Sequence, residues 1–83
     1  MAVTITTNEG THIAGETALD VVQQMNQRAL IGEADAWRYM VSLAGRIRRL
    51  HGTAVRTGSP AQFLVDLAAG GFITLDELVE SAA

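Results

Sequence analysis

The segment from Ala34 to His51 constrains the fold most, because its residues repeat with the period of one long amphipathic helix. On a helical wheel of about 100° per residue, one side is a broad apolar arc made of Trp37, Met40, Val41, Leu43, Ala44, Ile47 and Leu50. The opposite side carries Arg38, Ser42, Gly45, Arg46 and Arg49. The apolar arc predicts a contact with the core, with Trp37 at its centre.

Two side chains depart from this simple division. Arg48 falls inside the apolar arc, between Trp37 and Val41 on the wheel. It must therefore extend its guanidinium into solvent, pair with an internal acid or lie in an interface. Tyr39 lies at the margin of the arc, and its hydroxyl needs a polar partner. A core position is the default for Tyr39, and an interface position is the alternative, since Tyr and Arg together are typical of interface anchors.

The first fifteen residues predict a β-hairpin. Val3 and Ile5 alternate with threonines, and Asn8-Glu9-Gly10 is suited to a three-residue loop whose glycine takes the left-handed conformation. Pairing the chain across this loop places Ile5 opposite Ile13. The apolar side of such a hairpin needs helices to cover it, because an isolated hairpin is marginally stable in water.

Capping signals divide the rest of the chain. Helix starts are indicated by Thr17 with Asp20, by Ser59-Pro60, and by Thr74 with the following acidic residues, and glycines mark the ends. The predicted helices span residues 17–30, 34–51, 60–69 and 75–81, and residues 54–56 predict a short third strand. We therefore expect an α+β fold in a single domain over residues 1–83, with a hairpin or three-stranded sheet packed on three to four helices.

Composition narrows the class of protein. With 83 residues there is no room for a second domain, and a hydrophobic content of 48% is enough to build a core. The absence of cysteine excludes disulfides and thiolate metal sites. No signal peptide or membrane-length apolar run is visible, so we expect a small acidic cytoplasmic protein.

The residue types that enzymes use are few and scattered. His12 faces away from the apolar side of the hairpin, and His51 ends the long helix, so neither predicts an acid–base pair. No metal-ligand spacing or glycine-rich nucleotide motif is present. We expect no enzymatic activity, no cofactor, no metal and no small-molecule substrate.

A helix-turn-helix over residues 60–81 has roughly the right layout, but its second helix would carry Asp76, Glu77 and Glu80 and no basic residue. Carboxylates at that position would repel DNA phosphates. Packing of a helix pair at the end of the domain is therefore the preferred interpretation.

The prediction for function is a non-catalytic protein–protein interaction module, that is, a regulator, inhibitor or adaptor. Its partner is an acidic protein surface or a second copy of the chain, and the predicted binding residues are Arg38, Tyr39, Ser42, Arg46, Arg49 and Arg56. The same arginines support an alternative, a nucleic-acid-binding regulator that contacts phosphates. A third candidate is an inhibitor that a phage or mobile element directs against a host defence complex, such as an anti-CRISPR protein. The simplest explanation of the arginines is a solvated face paired with the chain's own carboxylates.

Overall fold

A computed structural model of the protein describes residues 2–79 and shows an α+β fold with a three-stranded antiparallel sheet and three helices. The elements follow one another as β1 (Val3–Thr7), β2 (His12–Gly15), α1 (Ala18–Arg28), α2 (Ala36–His51), α3 (Pro60–Ala69) and β3 (Ile73–Leu78). The strand order is β2-β1-β3. The first and last strands of the described chain are therefore neighbours, and the three helices lie between them in sequence.

The hairpin forms with the predicted register. Ile5 is paired with Ile13, and the Thr7 N–H donates to the carbonyl of Thr11 at 2.9 Å. Gly10 has φ +89°, the left-handed conformation that the three-residue loop requires. Ile5 and Ile13 are both buried, so one face of the hairpin belongs to the core.

The predicted helix over residues 75–81 is wrong in its described part, because β3 occupies residues 73–78. Residues 80 and 81 lie outside the described residues. Pairing with β1 satisfies the backbone of this segment and turns Ile73 toward the core. Ile5 is paired with Leu75 and the preceding residue of β1, Thr4, is paired with Glu77, so Asp76 is the extra residue of a β-bulge. Asp76 accepts a hydrogen bond from the Thr6 hydroxyl on β1 at 2.6 Å instead of capping a helix.

Residues 54–56, predicted as a third strand, form a connector with no strand. The Arg56 backbone N–H has no neighbouring strand to pair with, and it donates instead to the side-chain carboxylate of Asp66 on α3 at 2.8 Å. The third strand of the sheet is instead β3, which comes from the far end of the chain.

The three earlier helices are confirmed, with α1 and α2 shorter than predicted by up to two residues at each end. Thr17 and Asp20 form a reciprocal capping box at the start of α1. Ser59 caps α3, whose first residue is Pro60. At the other end of α3, Gly71 has φ +81° and the Phe72 N–H donates back to the Leu67 carbonyl at 2.9 Å, which is a Schellman motif.

The helices lie in two layers over one face of the sheet. Helix α1 contacts β1 and β2, α3 lies against β3, and α1 and α3 contact each other. Helix α2 packs mainly against α1 and so forms the outer layer. The buried hydrophobic residues are Val3, Ile5, Ile13, Ala18, Val21, Val22, Met25, Ala36, Met40, Ile47, Phe63, Leu64, Leu67 and Ile73.

Trp37 is not at the centre of the core, contrary to the sequence-based expectation, since 47% of its surface is exposed. The side of α2 that packs inward contains Ala36, Met40 and Ile47. The apolar arc is wider than the contact that α1 offers, so Val41 at one margin and Leu50 at the other are exposed. The outer layer of the fold thus keeps a large aromatic side chain half in solvent.

Substitution of two glycines by alanine is expected to change the free energy of unfolding in opposite directions. Gly71→Ala should lower the free energy of unfolding by about 1–2 kcal/mol, because a Cβ is strained at its positive φ. Gly45→Ala should raise the free energy of unfolding by about 0.5–1 kcal/mol, because this position is helical and its Cβ would meet open space. Urea titrations of both variants measure the difference, and the same sign for both would contradict the described end of α3.

Candidate interaction surface

The outward side of α2 carries an apolar stripe that the rest of the described chain leaves uncovered. Trp37 and Val41 are one helical turn apart and are 47% and 61% exposed. They line a shallow hollow together with Glu33, Arg38 and Ser42. We call the exposed side chains of Trp37, Arg38, Val41, Arg48 and Arg49 the outer surface of α2.

Arg48 continues this surface along the helix. It is exposed and lies with Val41 and Gly45 around a second hollow, whose other wall is the connector at Ala54 and Val55. Of the three positions that the sequence allowed for Arg48, an ion pair with an internal acid is not formed within residues 2–79. Its place between Trp37 and Val41 on the wheel was the signal that this part of the apolar arc faces solvent.

The charge of α2 is entirely positive. The helix contains four of the six arginines and neither Asp nor Glu. Arg38 approaches its N-cap, Asp35, at 3.6 Å, and both side chains are largely exposed, so this pair is weak. Arg46, Arg48 and Arg49 make no ion pair with any residue from 2 to 79. Two of these unpaired guanidinium groups, those of Arg48 and Arg49, therefore lie with the apolar stripe on the outer surface of α2.

The six predicted binding residues do not form one surface. Arg38, Ser42 and Arg49 lie on the outward side of α2, with the first two lining the hollow at Trp37. Tyr39 and Arg46 lie on the flank that faces the β1–β2 turn, where they line two neighbouring cavities. Arg56 lies in the connector before α3 and is engaged by Asp66.

Tyr39 is neither fully buried in the core nor fully exposed at the surface. It is partly buried against the core cluster. Burial raises the pKa of its hydroxyl above the ordinary value of 10.0, and the positive charge of Arg46 partly offsets this shift. The hydroxyl and the Arg46 guanidinium are thus within electrostatic reach on the same flank of α2.

Arg56 forms a hydrogen-bonded ion pair with Asp66 that stabilises the fold. Its Nε and Nη2 atoms donate to the two carboxylate oxygens of Asp66, each at 3.0 Å, and its backbone N–H donates to the same carboxylate. This forked pair ties the connector to α3. The hydrogen bond from the Arg56 side chain, followed by that from its backbone, lowers the pKa of Asp66 below 3.8.

Asp66→Asn should make stability less dependent on pH in the acid range. Because the pKa of Asp66 is lower in the folded state, its stabilising contribution is complete above 3.8 and is lost as the pH falls through the folded-state value. Urea titrations of wild type and variant should therefore differ at pH 7 and converge as the pH falls below the folded-state pKa. A difference that is constant with pH would show that the carboxylate charge does not hold the connector.

Within residues 2–79, no three His, Asp or Glu side chains converge so that they could hold a metal ion. No helix in the described range is long and apolar enough to cross a membrane. Comparison of the chain with models of protein families, with curated proteins and with solved structures finds no match.

Proposed function

We propose that the protein is a small non-catalytic interaction module that binds an acidic partner protein through the outer surface of α2. The observation that carries this proposal is the exposure of Trp37 and Val41 beside Arg48 and Arg49, which make no ion pair within residues 2–79. Aromatic side chains and Arg are enriched at the centres of interfaces, where the aromatic group supplies the contact area and Arg supplies forked hydrogen bonds.

The charge distribution favours a different protein over a second copy of the chain. A symmetric pair formed through the outer surface would place Arg38, Arg48 and Arg49 of one copy against the same three arginines of the other, with no Asp or Glu on either helix. A partner that offers an apolar pocket for Trp37 within an acidic rim matches both features of the surface. Regulators, inhibitors and adaptors all act by such contacts.

The structure lends less support to phosphate binding by Arg38, Arg46, Arg49 and Arg56. Arg56 is held by Asp66, and Arg38 has Asp35 beside it. Both carboxylates would approach a phosphate backbone together with the arginines and would weaken its binding. An acidic protein, in contrast, can place its carboxylates at Arg48 and Arg49 and its apolar groups at Trp37.

Site-specific photo-cross-linking tests the proposal. A photoreactive phenylalanine analogue replaces Ser42, which lines the hollow at Trp37, or replaces Val65, an exposed apolar residue of α3 that serves as the matched control. In cells of the source, position 42 should capture one protein species and position 65 should not. Trp37→Ala in the same chain should abolish the capture while the variant stays folded.

Two outcomes contradict the proposal. Capture of the same proteins from both positions, or capture unaffected by Trp37→Ala, would show that the outer surface of α2 is not the contact. Binding to duplex DNA or RNA at low salt, with affinity that falls steeply as salt rises, would favour the nucleic-acid alternative.

A further inference from the structure

A cavity of about 390 Å³ lies on the other flank of α2, away from the outer surface. It opens between the end of α2, the β1–β2 turn and the α3–β3 turn. Small-molecule sites in proteins begin at about 300 Å³, so its size suits a compact ligand. Neither Trp37 nor Val41 contributes to it.

The interior of this cavity is apolar and its walls are linked to each other. Seven apolar side chains line it: Met25, Leu43, Ile47, Leu50, Leu67, Phe72 and Ile73. Phe72 packs against the ring of His51 edge-on, with 5.2 Å between the ring centroids. The Asn8 side-chain amide donates to the Gly71 carbonyl at 3.2 Å, which ties the β1–β2 turn to the α3–β3 turn. The cavity is therefore largely preformed, which lowers the cost of binding.

Hydrogen-bond donors are concentrated at the α2 side of the cavity. Arg46 lines it, is exposed, and makes no ion pair within residues 2–79. His51 lies five residues further along the helix and also lines the cavity. Glu9 in the β1–β2 turn is the acidic lining residue, and its charge opposes an anion from across the opening. Tyr39 is within electrostatic reach of Arg46.

The geometry points to a binding site for a small amphipathic carboxylate, whose apolar body fills the cavity and whose carboxylate is bound by the Arg46 guanidinium. An apolar lining with a few charged groups at its edge is the usual composition of such sites. The planar guanidinium of Arg matches a carboxylate with two parallel hydrogen bonds. A cationic ligand at Glu9 would be repelled by Arg46, and a purely apolar ligand would leave both charges unused.

The test is an NMR titration of the full chain with octanoate at neutral pH, with octan-1-ol as the uncharged probe of the same length. Octanoate should produce saturable shifts of the amides of Leu43, Ile47 and Phe72 and leave Val65 unchanged. Arg46→Gln should weaken octanoate binding by about tenfold. The matched control is Arg49→Gln, an exposed arginine of the same helix that does not line the cavity.

Glu9→Gln should strengthen octanoate binding by about two- to fivefold, because it removes a like charge from the opening. Three results would overturn the assignment: no saturable shift at the cavity, octan-1-ol binding as tightly as octanoate, or equal effects of Arg46→Gln and Arg49→Gln. Trp37→Ala should leave octanoate binding unchanged, so this site and the proposed protein interface can fail separately.

Discussion

Phe63→Ala is expected to lower the free energy of unfolding by about 3–5 kcal/mol. Phe63 is the largest of the fully buried side chains, and it lies on α3, the helix that packs against both α1 and β3. A chain of 83 residues has a total stability of roughly 4–12 kcal/mol. The substitution therefore removes a large share of the stability, and part of the population should be unfolded at room temperature.

Val65→Ala is the matched control for this prediction, because Val65 lies on the same helix but is exposed. It should change the free energy of unfolding by about 0.5 kcal/mol or less. Urea titrations followed by circular dichroism measure both values. Similar losses for the two variants would mean that α3 does not turn Phe63 into the core.

Met40→Ala and Trp37→Ala test which side of α2 is buried. Met40 is fully buried, so its truncation should cost about 2–5 kcal/mol. Trp37 is much the larger side chain, yet it is half exposed, and alanine is the better helix former. Trp37→Ala should therefore cost only about 1–2 kcal/mol. The result that contradicts the structure is the reverse order, with Trp37→Ala the more destabilising.

Features that depend on residues close together in the sequence could be predicted from the sequence. The Ile5 and Ile13 pairing follows from alternation and loop length, and the starts of α1 and α3 follow from Thr17 and Ser59. Each of these signals acts over a few residues, so the physical cause is local. The fold class follows from them, since three helices and a hairpin already specify a mixed fold.

The secondary structure of residues 73–78 could not be predicted from local signals, because Thr74 and the acidic residues after it fit a helix start as well as a strand. The partner of this segment is β1, about seventy residues away, and the backbone pairing with β1 overrides the capping preference. Alternation of Ile73 and Leu75 was the one strand signal, and two residues are too few to decide.

The candidate binding residues remain a prediction, and the sequence could establish only which side of α2 some of them occupy. Periodicity placed Arg38, Ser42 and Arg49 on the polar side of α2, where the structure has them. It assigned Trp37 to the core because periodicity does not show how much of an apolar arc the neighbouring elements bury. The width of the buried part is set by the neighbouring helix, which is a property of the tertiary fold. The pairing of Arg56 with Asp66 could not be predicted for a similar reason, since this carboxylate lies ten residues further along the chain.

Quenching of tryptophan fluorescence tests most directly the claim that α2 presents an uncovered aromatic anchor among arginines. The chain contains one tryptophan, so the signal comes from Trp37 alone. In the folded protein we expect substantial quenching by acrylamide, and stronger quenching by iodide than by caesium, because unpaired arginines attract the anion. Emission at short wavelength that resists all three quenchers would contradict the account, because it would place Trp37 in the core and require the faces of α2 to be exchanged.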